Sequence, residues 1–202
     1  AISSSAATRV DTVAGISNSG TIYAKGDTRL STQGDIDHTG VIAAQNDVVL
    51  SATGSGSRIQ ASTDAVVGAG LLSDGTLGGN GHVDINANGE AALHGQNVAS
   101  GDLRVAARTV NLAGSQTLAR NLNLHAASGD INVRNAVLTA DETLTASTTQ
   151  TLQHDGASSS ARQLQLNAHD LSNQHGELIQ SGSGATAISL AGSLDNTAGK
   201  LA

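Results

Sequence analysis

Aliphatic and polar residues alternate in short bursts along this chain, and the bursts recur about every twenty residues. The clearest is Leu122-Asn123-Leu124-His125-Ala126, followed by the turn Ser128-Gly129-Asp130 and a new run at Ile131. The same pattern stands at Leu103-Arg104-Val105-Ala106-Ala107 and around Leu144-Thr145-Ala146. Period-two alternation sends successive side chains to opposite faces of a strand. Each burst is therefore a predicted strand with one buried face.

Taking the second aliphatic residue as marker gives Leu30, Leu50, Ile85, Val105, Leu124, Leu144, Leu166 and Leu190, with steps of 20, 35, 20, 19, 20, 22 and 24. The step of 35 reads as a double step hiding an irregular copy near Val66-Val67 or Leu71-Leu72. Two residues before the marker, six of eight positions are aliphatic; one residue before it, seven of eight are polar. Two residues after it the column is nearly all small, with Ala52, Ala87, Ala107, Ala126, Ala146 and Ala168. The predicted core is therefore Leu30, Leu50, Ile85, Val105, Leu122, Leu124, Leu144, Leu166 and Leu190. The alanine column marks a tight corner, where a larger side chain would overfill a close-packed interior. Glu142 interrupts the inward column, so either the register shifts there or its carboxylate escapes to solvent.

Weaker segments flank each marker. Ile22, Ile42, Leu77, Val98, Leu118 and Val137-Leu138 precede it, and Ile36, Ile59, Leu93, Leu112, Ile131, Leu152, Leu171 and Leu194 follow it. Each unit thus reads as three short strands separated by Gly, Asn, Asp or Ser turns. An antiparallel meander would need hairpin turns at most junctions. Pairs such as Asp74-Gly75 and Asn88-Gly89 occur at only some of them. Similar residues recurring at one phase point to stacking, as in an all-β parallel β-helix (β-solenoid). About 20 residues per rung and roughly nine to ten rungs spaced ~4.8 Å apart make a rod about 45 Å long. The expectation is a single β-helix segment over 1–202, cut from a longer protein, irregular near 63–81 and with partial rungs at both ends. Unpaired rung edges are expected to promote end-to-end self-association.

Composition supports the stack. There is no Pro, which would remove ladder hydrogen bonds. Phe and Trp are absent and Tyr occurs once, so the interior must be filled with Leu, Ile, Val and Ala. A net charge of −7 argues against nucleic acid and anionic membranes as partners. No run approaches the ~18 apolar residues of a spanning helix. The lack of Cys is compatible with a chain exported unfolded through a narrow pore.

Candidate chemistry is sparse. Asp141-Glu142 is the one adjacent carboxylate pair, and neighbours on a strand point apart rather than across a cleft. The seven histidines read as outward or turn residues, and only His169 and His175, flanking one turn, invite the thought of a metal. Gly78-Gly79-Asn80-Gly81-His82-Val83-Asp84 faintly resembles a calcium-binding repeat but occurs once. No catalytic residue, metal or cofactor is expected. Arg104, Arg108, Arg120 and Arg134 fall in neighbouring stretches and would form a basic, glycan-contacting strip if they shared a face.

The phrase Leu171-Ser172-Asn173-Gln174-His175-Gly176-Glu177-Leu178 returns as Leu194-Asp195-Asn196-Thr197-Ala198-Gly199-Lys200-Leu201. Relatives of it stand at Asn18-Ser19-Gly20-Thr21-Ile22 and Thr39-Gly40-Val41-Ile42. This L-x-N-x-x-G-x-L pattern is similar to the haemagglutinin repeat of filamentous haemagglutinin-type exoproteins. The resemblance implies a right-handed β-helix within a very long protein, secreted to the surface of a Gram-negative bacterium through an outer-membrane barrel partner (two-partner secretion). It implies an adhesin shaft that attaches to host cells or other bacteria through an unidentified receptor, or else the stalk of a contact-dependent growth-inhibition protein. Neither the family's N-terminal secretion domain nor its C-terminal toxin is recognised here. A β-helix polysaccharide-degrading enzyme is the third reading, and the absence of Trp and Phe weighs against it.

Overall fold

The computed structural model describes residues 1–202. It contains 23 strands and no helix, joined in one continuous sheet wound into a coil. The named strands pair in parallel, and the single antiparallel bridge, Leu71 with Leu77, lies outside them. The coil has three faces. The first stacks Ile2–Ser4, Thr21–Ala24, Val41–Ala44, Val66–Ala69 and Gln96–Ala99, and ends at Lys200–Leu201. The second stacks Thr8–Thr12, Thr28–Thr32 and Val48–Ala52, and ends at Ala187–Leu190. The third runs from Ile16–Asn18 through Ile36–His38 and Ile59–Ala61 to Leu194–Asp195. Several strands, such as Val137–Thr148, turn the corner from one face to the next without a break.

Register explains the interior. On the second face one inward column is Val10, Leu30, Leu50, Ile85, Val105, Leu124, Ala146, Leu166 and Ile188. These nine residues mark nine rungs. The first, at Val10, escapes the marker pattern because its neighbours Thr8 and Thr12 are polar. Leu50 pairs directly with Ile85, so the 35-residue step is one long rung with no hidden copy.

Two predicted core markers sit in other columns. Leu144 pairs with Leu122, not Leu124, so Ala146 takes the marker position in that rung. Leu190 pairs with Ala168 and is only half-buried. The register shifts at the corner between Ala140 and Thr143, and Glu142 never enters the interior. It is exposed and faces Arg162, with Nε–Oε2 at 3.6 Å. Leu30, Leu50, Ile85, Val105, Leu122, Leu124, Leu144 and Leu166 are all buried.

The long rung owes its length to residues 70–82. They leave the coil between Val66–Ala69 and Val83–Leu93 and fold back as a small hairpin over the outside of the first face. Leu72 N donates to Thr76 O at 2.9 Å, and Gly78 N to Gly70 O at 2.7 Å. Leu77, read above as a rung strand, belongs to this hairpin and is exposed. A Cβ at Gly68 would collide with the Leu71 side chain, so glycine lets the hairpin lie flat on the sheet.

The first face inverts locally. Asn97 and Thr117 point inward, stacked between Val67 and Leu138 in one column, while Val98 is half-buried and Leu118 exposed on the outside. Asn97 Nδ2 donates to Thr117 Oγ1 at 3.2 Å, but Asn97 Oδ1 is buried without a partner.

Candidate functional site

The corner between the third and first faces carries the repeat phrase. Its inward column is Asn18, His38, Ala61, Leu93, Leu112, Val133, His154, Asn173 and Asn196. Asn173 Nδ2 donates to Gly176 O at 3.3 Å, closing its own turn, and to Asn196 Oδ1 of the next rung at 2.7 Å. Asn18 repeats the turn closure, Nδ2 to Gly20 O at 3.1 Å, and Asn196 repeats it to Gly199 O at 3.3 Å. The asparagine of L-x-N-x-x-G-x-L thus shuts its own turn, and the fully buried Asn173 also ties that turn to the next rung. The motif glycine is required by contact: a Cβ at Gly176 would press on the backbone carbonyl of His154, one rung away. The residue before it takes positive φ, with His175 at 55° and Ala198 at 54°.

His38 and His154 occupy the asparagine position, which corrects their reading as outward or turn residues. Both are buried. His38 Nε2 donates to Val66 O at 3.0 Å and faces Asn18 through Nδ1. His154 Nδ1 donates to Asn173 Oδ1 and Nε2 accepts from Ser159 Oγ, both at 2.7 Å. His125 is exposed on the second face. His169 and His175 lie at opposite ends of the strand Asp170–Ser172, where His169 pairs with Asp170 at 2.8 Å. No group of three or more His, Asp or Glu side chains is arranged to hold a metal.

The carboxylates have their own pattern. Asp47 Oδ1 accepts from His82 N at 2.9 Å, Asp35 from Arg58 N at 2.8 Å and Asp130 from Thr151 N at 3.0 Å. Asp155 accepts from Gln174 N at 3.0 Å and Asp170 from Ser193 N at 2.6 Å. In each case an aspartate at a corner accepts the backbone N–H of the next rung, where the coil bends and the ladder leaves a donor free. The Ser193 hydroxyl and amide, with His169, hold the Asp170 carboxyl down at about 2. For Asp155, burial pushes upward but is outweighed by Ser172, Gln174 and Arg134, leaving the carboxyl below its ordinary value. The acidic excess is therefore largely fastening between rungs.

The four arginines of the supposed strip do not share one environment. Arg120 reaches Asp102 at 3.4 Å, and Arg134, at the third-face corner, reaches Asp155 at 3.0 Å. Arg104 and Arg108 are the only arginines without a carboxylate partner. They flank the outward Ala106 on one strand, and Arg104 stands in register between Asp84 and Asn123 of the adjoining rungs.

Residues 1–55 match the family described as the haemagglutinin repeat. Over 143 residues the chain is 35% identical to the Toxin CdiA of Yersinia pestis, a stretch covering 71% of the chain and 4% of that protein. The chain belongs to the filamentous haemagglutinin/CdiA-type repeat proteins. No solved structure matches it. In this chain alternation fills the lumen, asparagine or histidine occupies the turn position in five of the nine rungs, and corner aspartates bind the next rung. Sequence reading found the first of these and missed the other two. His38 and His154 were legible as stand-ins for Asn18 and Asn173, because each sits two residues after the aliphatic Ile36 or Leu152.

Proposed function

We propose that this segment is shaft: it separates the working ends of a long, secreted cell-surface protein and does no chemistry itself. The reading is supported by the side-chain ladders, in which polar groups at the corners are spent on neighbouring rungs. Nine rungs at ~4.8 Å extend the shaft by about 43 Å. The full protein would leave a Gram-negative cell through an outer-membrane barrel partner and act as an adhesin. A second reading, the stalk of a contact-dependent growth-inhibition protein, draws support from the similarity to Toxin CdiA. That similarity covers 4% of the toxin's own length.

In-frame deletion in the full-length protein tests the shaft. Removing 102–120 joins Gly101 to Asn121, the register partner of Asp102, and keeps the phase of every face. Surface display and activity are expected to survive. Removing 102–111 leaves the following strands out of phase and is expected to abolish display. Equal loss from both deletions would overturn the shaft reading. Adherence and competition assays on the phase-preserving variant then separate adhesin from stalk.

A further inference from the structure

The hairpin of residues 70–82 makes a cleft of about 540 Å³ against the outer first face. In a stacked-repeat protein an insertion on one face is a common place for binding. One wall is the ring of Tyr23, the sole aromatic residue in the chain. Its hydroxyl donates to Leu71 O at 3.1 Å, fixing ring and hairpin together. Leu71 and Leu72 of the hairpin line the cleft with it, together with Ser3, Ser5 and Ser73. Lys25 is the only charged residue lining the cleft; it is exposed and makes no ion pair. In a chain with 17 acidic residues, a carboxylate-free cleft with one unpaired ammonium selects an anionic occupant. An aromatic wall beside aliphatic side chains suits a ring with an apolar face, and the hydroxyls suit a polar edge.

We infer that this cleft binds a carboxylate-bearing sugar, a uronic-acid unit of a surface glycan, with its carboxylate on Lys25 and its C–H face on Tyr23. The site is separate from the arginines of the second face and does not depend on the shaft reading.

Tyr23 supplies its own assay, since tyrosine emission from this chain comes from the cleft alone. The isolated segment is titrated with a glucuronic acid-terminated disaccharide, its neutral glucose-terminated counterpart, and acetate. The acidic disaccharide is expected to give a saturable change in emission, with the neutral sugar about tenfold weaker. Lys25→Gln is expected to lower affinity for the acidic disaccharide to the neutral level. Leu72→Glu, on the hairpin and outside the core, is expected to abolish binding with the thermal melt unchanged. Flat emission with both sugars, confirmed by the absence of saturation-transfer signals, would overturn the assignment. So would equal affinity for the two sugars, an unaltered Lys25→Gln variant, or an acetate response matching the disaccharide's.

Discussion

His154 Nδ1 lies 2.7 Å from Asn173 Oδ1, so a histidine on one rung is locked to the motif asparagine of the next. Burial lowers the His154 pKa below the ordinary 6.5, against the opposing pull of Asn173 and Asp155. The folded state therefore holds a neutral imidazole where the unfolded chain takes up a proton. Protons bound to the unfolded state make stability rise with pH. The contribution is complete above the unfolded value near 6.5 and is lost as pH falls from there through the lowered folded value. Urea midpoints are expected to drop between ~pH 7 and ~pH 5, before most carboxylates titrate. His154→Asn, which keeps an amide in the ladder, should flatten that slope. An unchanged slope would mean that another group sets it.

The lumen is expected to respond to truncation far more than the outer face does. Leu124 is fully buried in the middle of the marker column, between Val105 and Ala146. Leu124→Ala should cost about 2–5 kcal/mol, the transfer loss plus a cavity that stacked neighbours cannot close. His125→Ala, one residue on and exposed, should stay within about 0.5 kcal/mol. Denaturant melts of the two variants test the pairing; a larger cost for His125→Ala than for Leu124→Ala would show that the faces are exchanged.

Alternation revealed the coil because most inward columns are aliphatic, and its limits have physical causes. A one-residue slip would turn the core outward, but a two-residue slip keeps every face. The second face has two adjacent aliphatic columns, so Leu144 looks equally good under Leu122 or Leu124. Only the corner irregularity near Glu142 decides, and no local pattern announces it. On the first face Asn97 and Thr117 are inside while Val98 and Leu118 are out, which reverses the rule on which the reading rests. The aspartate fastenings left no signal because their partners are backbone amides one rung away. The arginines were legible as a group but not as two kinds, since ion pairing depends on register.

That division gives the arginines separate expected effects. Arg104 and Arg108 are free to meet an acidic polymer, whereas Arg120 and Arg134 already answer to Asp102 and Asp155. On a heparin column, alanine at Arg104 or Arg108 should shorten retention measurably. The same change at Arg120 or Arg134 should shorten retention less, because each of these charges is already held by a carboxylate on the protein. No change in any of the four would end the idea of a basic glycan-contacting surface on this face.

Asn97 is the remaining anomaly in the lumen, and its repair should stabilise the coil. Its amide nitrogen has Thr117, but its amide oxygen is buried with nothing to accept from. Leaving such a group unpaired costs about 1–3 kcal/mol. Valine suits a strand interior and matches Val67, the neighbour on one side of the column. Thr117 would not be stranded, since Ser115 Oγ stands 3.2 Å from its hydroxyl. Asn97→Val is therefore expected to raise stability by about 1–3 kcal/mol, read as a higher urea midpoint with an unchanged slope. A lower midpoint would mean that the amide oxygen is satisfied in solution, as a buried water would do. The first face at that rung would then be held by a polar link rather than weakened by one.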